Sequence, residues 1–187
     1  MKIDLKKAKN EFLKYTENYD LTNTNIERKK FHSLRVMEIS QQIAEKLELS
    51  EEEIELATLI GLLHDIARFE QYTIYQTYRD VDSVDHGDFG VQILEKDIRK
   101  YIETDLYDEI IKKSIKNHNK FKIEEGLSEK EMLFTKIIRD ADKLDIFFEA
   151  VEMFWKGKEQ EVECSIITEN VLEQFKKFTT VKREKNQ

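Results

Sequence analysis

The sequence predicts an all-α fold, a compact bundle of six or seven helices, and three observations lead there. The 187 residues include no proline and only five glycines, so long stretches run without the residues that break helices or make tight turns. Apolar residues recur every three to four positions through most of the chain, and helix-capping patterns open several of these stretches. The one run with strand character, residues 162–167, is short.

A first helix is expected over residues 2–17, where Leu5, Ala8, Phe12 and Tyr15 share a face. A second spans about residues 25–47, with Val36, Ile39, Ile43 and Leu47 at helical spacing and His32 on the same stripe. Ser50 and Glu53 form a capping box that opens the third. Its body, residues 54–66, is apolar nearly all round, which places it at the centre of the fold. Residues 68–84 read as a loop or short helix. Helices are then expected over about 85–96 and 104–118, and a long one from Ser128, capped by Glu131, to about Trp155. A last helix is expected over residues 168–181. Phe147, Phe148, Phe154 and Trp155 read as core, and the Lys176-Lys177 and Lys182-Arg183 charges as a solvated tail.

No repeat, low-complexity tract or linker divides the chain, so residues 1–187 read as a single domain. The net charge of -8 argues against a nucleic-acid polymer as partner, because phosphate-backbone binding needs a basic face. A small anionic substrate stays open, since bound metal ions can reverse the local field. Cys164 stands alone and no stretch approaches the ~20 apolar residues of a membrane span, so cytoplasm is the expected location, without a membrane partner. A homo-oligomer is compatible with all of this.

The chemistry lies in the four histidines. His32, His64, His86 and His118 each fall near the end or on the apolar face of a different expected helix. Asp65 follows His64 inside the most hydrophobic helix, where an ionised carboxylate without a partner costs several kcal/mol. Asp142 lies four residues after Ile138 and four before Ile146, so it too points inward, whereas Asp140 falls off that stripe. Neutral imidazoles and carboxylates suit divalent transition ions such as Mn, Fe, Co, Ni or Zn. Six ligands exceed the need of one ion, and two ions ~3.5–4 Å apart with Asp65 as bridge would use them all. Taken singly, each histidine is more often a hydrogen-bonded structural residue. The joint pattern carries the metal reading.

The order His32, His64-Asp65, Asp142 resembles the HD-domain superfamily of metal-dependent phosphohydrolases. The segments Leu62-Leu63-His64-Asp65-Ile66-Ala67-Arg68 and Arg139-Asp140-Ala141-Asp142-Lys143-Leu144 are similar to its doublet and distal-Asp segments. His86 and His118 resemble the two extra histidines of its binuclear branch, and the resemblance covers about residues 25–150. It implies a helical protein that cleaves a phosphate monoester or diester of a small, nucleotide-like molecule with metal-activated hydroxide. Asp65 and Arg68 would serve catalysis, and Arg68 and Lys143 would contact the substrate. The competing reading for Arg68 is an ion pair with Asp65, and for Lys143 a solvated lysine. Asp145, three residues after Asp142, shares its face as a candidate outer partner. The cyclic-dinucleotide phosphodiesterase branch with a Gly-Tyr-Pro segment is excluded by the absence of proline. The same ligand set also occurs in mixed-valence di-iron oxygenases of the superfamily, and a non-catalytic nucleotide sensor is the third alternative.

Overall fold

The computed structural model describes residues 3–155, together with Glu173 and Lys177. The expected helix at 168–181, the strand-like run at 162–167 and the charged tail lie outside the described residues, apart from Glu173 and an exposed Lys177. The side chain of Phe154 also lies outside them. The chain divides into two compact units, Met1–Phe148 and Glu149–Gln187. All four histidines, Asp65 and Asp142 belong to the first.

The described residues form seven α-helices and no strand. These are α1 (Leu5–Thr16), α2 (Thr24–Lys46), α3 (Glu51–Leu63), α4 (Ala67–Tyr75), α5 (His86–Asp97), α6 (Asp108–Asn117) and α7 (Glu129–Trp155). Short 3-10 turns, Asp80–Asp82 and Ile98–Lys100, precede and follow α5.

Caps fix the starts. Asp4 accepts from the Lys7 amide, Asn23 from Asn25, and Asp85 from Asp88. The expected capping box at Ser50 and Glu53 is formed, as is the reciprocal pair of Ser128 and Glu131. The segment expected as loop or short helix contains α4, which ends where Gln76 takes a left-handed conformation at φ 54°. Helix α6 starts four residues later than expected, because Asp105 to Tyr107 form a turn before it.

The all-round apolar helix α3 is the axis of the bundle, buried from Glu55 to Leu63. It packs along α2 and also meets α1 and α6. Helices α2 and α3 come close at Gly61, where a Cβ would stand 2.6 Å from Ser40 Oγ and 2.8 Å from the Val36 carbonyl oxygen. Only a residue without a side chain lets the two backbones lie this close. Phe134, Ile137, Ile138 and Ala141 bring α7 into the same core. The stripe does not continue: Phe147 (69% exposed), Phe148 and Trp155 are exposed rather than core. Helical spacing says which residues share a face; it does not say what covers that face.

Candidate metal centre

All four histidines and both inward aspartates converge at the junction of α2, α3, α5, α6 and α7, and every one is buried. His32 projects from the middle of α2. Helix α3 stops at Leu63, so His64 caps its end and Asp65 lies in the turn beyond, not inside the helix as expected. His118 caps α6 in the same way, and His86 is the first residue of α5. Helix ends supply three of the four imidazoles.

Each imidazole is held by its Nδ1. His64 Nδ1 donates to the Gly61 carbonyl at 2.8 Å and His118 Nδ1 to the Ile115 carbonyl at 2.6 Å. These are carbonyls of the last helical turn, where the regular i+4 partners run out, and the Ile115 carbonyl also accepts from the His118 amide at 3.5 Å. His32 Nδ1 lies 2.6 Å from Asp145 Oδ2, and His86 Nδ1 2.6 Å from Asp80 Oδ2. An oxygen acceptor at Nδ1 assigns the proton there and leaves a lone pair on Nε2 of the neutral ring.

The Nε2 atoms meet in pairs, His32 with His64 at 3.2 Å and His86 with His118 at 3.0 Å. Asp65 stands between the pairs. Its Oδ2 is 3.5 Å from His32 Nε2 and 3.7 Å from His64 Nε2. Its Oδ1 is 3.5 Å from both His86 Nε2 and His118 Nε2. Asp142 Oδ1 completes the first group, 3.3 Å from His32 Nε2 and 3.8 Å from His64 Nε2. Asp140, by contrast, is exposed, and Arg139 turns to the carbonyls of Asn117, His118 and Lys120 instead of to it.

The electrostatics suit a cation. Burial pushes His64 down to about 3 and His86 down to about 4, so both are neutral ligands at neutral pH. Burial also weighs against a charged His32, but hydrogen bonds to Asp142 and Asp145 outweigh it and raise its pKa. Desolvation would raise Asp65 and Asp142. For Asp65 the charge of Lys29, and for Asp142 the hydrogen bond to His32, lead the contributions that hold each well below the usual carboxylate range. In the His86–His118 pair, both held through Nδ1, two Nε2 lone pairs face each other at 3.0 Å and repel unless something positive lies between them. The donor set therefore fits divalent ions. His32, His64 and Asp142 make one group able to hold an ion, and His64, Asp65 and His118 make an overlapping one that shares His64.

Arg68, expected to contact substrate, makes the ion pair of the competing reading, with Nε 3.5 Å from Asp65 Oδ1. Its NH1 is committed to Gln71 Oε1, the Tyr78 carbonyl and Asp80 Oδ1. Arg68 thereby steadies Asp80, the carboxylate behind His86. Lys143 touches Asp142 Oδ2 and is 61% exposed.

Asp145, a candidate from its spacing, sits behind His32 and is itself gripped by Arg35 through Nε and NH2 at 2.6 and 2.9 Å. Lys29, Arg35, Asp80 and Asn119 are absent from the sequence reading. Lys29 donates to Asp65 Oδ2 at 2.9 Å, and Asn119 Nδ2 to Asp80 Oδ2 at 3.1 Å. Lys29 and Arg35 flank His32 by three residues on either side, so helical spacing carried a signal for both. Asp80 opens a three-residue 3-10 turn, too short for spacing to carry one.

A family model described as HD domain matches residues 31–146, a span that holds all six candidate ligands and Asp145. The crystal structure of a predicted HD superfamily hydrolase from an uncultured Thermotogales bacterium is similar, with a TM-score of 0.54 and 24% sequence identity. The match covers 80% of this chain and 75% of that one, and at this identity it speaks for the fold. Among curated proteins none matches the sequence. No helix among the described residues is long and apolar enough to cross a membrane.

Proposed function

The chain belongs to the HD-domain family, and on that footing we propose that it is a two-metal hydrolase of phosphate esters on small molecules. The observation that carries this reading is the pairing of four Nδ1-anchored histidines on opposite oxygens of one buried carboxylate. His32, His64, Asp142 and Asp65 Oδ2 would hold one ion, and His86, His118 and Asp65 Oδ1 the other. Bound divalent ions supply Lewis-acid activation of water and neutralise phosphoryl oxygens. The similar Thermotogales protein is a predicted hydrolase, in keeping with this assignment.

The protein's own contribution is positioning and charge. Four carboxylates in and around the cluster are matched by four basic side chains: Lys29 and Arg68 on Asp65, Arg68 also on Asp80, Arg35 on Asp145, and Lys143 on Asp142. Protein charge is thus balanced before any ion binds, and two divalent ions leave a positive surplus in a chain of net charge -8. That local surplus selects an anionic group and explains how an acidic protein can take a phosphorylated substrate. Lys143, largely exposed beside a ligand, is placed to meet such a substrate. Arg68 acts by holding Asp80 and Asp65 in position. A lone Cys164 accords with a reducing, cytoplasmic setting.

The test is a panel of phosphate monoesters and diesters assayed with manganese or cobalt. Turnover is expected in the wild type and should fall at least ~100-fold in Asp65→Ala, since both ions lose a ligand. Two irons per chain with oxygen-dependent turnover and no hydrolysis would overturn the proposal in favour of an oxygenase.

A further inference from the structure

The geometry points to Lys29 as a phosphate ligand of the loaded site, parked on the bridging carboxylate until the ions bind. This rests on the phosphate-ester reading above.

Lys29 is an unusual cation for this chain. Its side chain is only 14% exposed, and its Nζ lies 2.9 Å from Asp65 Oδ2. That oxygen is also the one facing His32 and His64, at 3.5 and 3.7 Å. The ammonium therefore stands at the edge of the volume an ion of the first group would enter. A divalent ion and an ammonium sharing one carboxylate oxygen repel each other at short range. His32, His64 and Asp142 would share an ion with that oxygen, and the ammonium would then need another acceptor.

The surroundings limit where it can go. Lys29 leaves α2 one turn before His32, and its Nζ lies 5.4 Å from the centroid of the Tyr78 ring. That ring is fixed by its hydroxyl donating to the Asn25 carbonyl and by the Tyr72 ring at 4.8 Å. The other cluster carboxylates already have bases: Arg35 on Asp145, Lys143 on Asp142 and Arg68 on Asp80. The acceptor that fits is an oxygen of an anion bound at the ions, for which a lysine is a short-range, charged donor. Lys29 would thus be withheld from substrate in the metal-free protein and presented to it only after loading.

Binding of inorganic phosphate to the manganese-loaded protein, measured by titration calorimetry beside its metal content, tests this. Wild type should bind phosphate. Lys29→Met should keep its manganese and bind phosphate ~10- to 100-fold more weakly, the loss expected for one charge-assisted hydrogen bond. Lys29→Arg should recover most of that loss, which separates a charged donor from mere packing. Equal phosphate affinity in wild type and Lys29→Met would overturn the inference about Lys29 alone. Loss of manganese from Lys29→Met would also overturn it, by making the lysine a support for Asp65. Loaded wild type that binds no phosphate would contradict the phosphate-ester reading itself.

Discussion

An imidazole ligates a metal well only when its ring is fixed and the correct nitrogen is free. The four histidines meet that condition by two routes. His64 and His118 lean on carbonyls of their own helix ends, whereas His32 and His86 lean on Asp145 and Asp80 from elsewhere in the chain. Each Nε2 pair thus joins one carbonyl-backed ring with one carboxylate-backed ring. Support of this kind typically matters 10- to 100-fold in metal affinity. The two aspartates of the distal segment offer a direct comparison at this scale. Asp142→Asn should cut metal content sharply, because the carboxylate lies 3.3 Å from His32 Nε2. Asp140→Asn should leave it unchanged, because that side chain is exposed. Equal losses on metal analysis would show the assignment of the distal ligand to be wrong. His32, His64, Asp65 and Asp142 were legible in the sequence because a buried ionisable group is costly and demands a reason. Asp80 was not, since a residue in a single 3-10 turn has no periodic face until the fold supplies one.

Helices are the elements that carry ligands to one point, and their ends do most of that work. The sequence showed α1, α2, α3, α5 and α7 through apolar spacing and caps. The end of α3 was less visible, because nothing in the local residues distinguishes His64 as the last capping position from His64 as one more helical turn. Contact between α2 and α3 sets the distance between His32 and His64, and Gly61 sets that contact. Gly61→Ala should push the helices apart and destabilise the fold by about 1–3 kcal/mol, as overpacking commonly does. Thermal unfolding of the metal-free variant should show a melting point several degrees below wild type. An unchanged melting point would mean that α2 shifts freely and that the close approach is not a constraint. The apolar residues near the end of α7 mark the limit of reading faces: Phe148 shares spacing with buried Ala141 and Asp145 yet is exposed.

At the scale of the whole molecule, an acidic chain gathers its buried histidines and carboxylates, with basic partners beside them, at the junction of five helices, and on the proposed reading ions would add the positive surplus. The family and the all-α architecture were legible because both rest on patterns that survive without coordinates: helical periodicity, missing proline, and the order of histidines and aspartates. The basic partners of the carboxylates were not, because Lys29, Arg35 and Arg68 resemble ordinary solvated charges until the helices are packed. The central claim is that the cluster is one two-ion site bridged by Asp65. Metal content decides it most directly, measured on protein purified without oxygen, reconstituted with manganese and freed of unbound ions. Wild type should retain about two ions per chain, and Asp65→Ala fewer than about one, because the bridge belongs to both. Wild type saturating at one ion or none, or Asp65→Ala retaining the wild-type number, would contradict it.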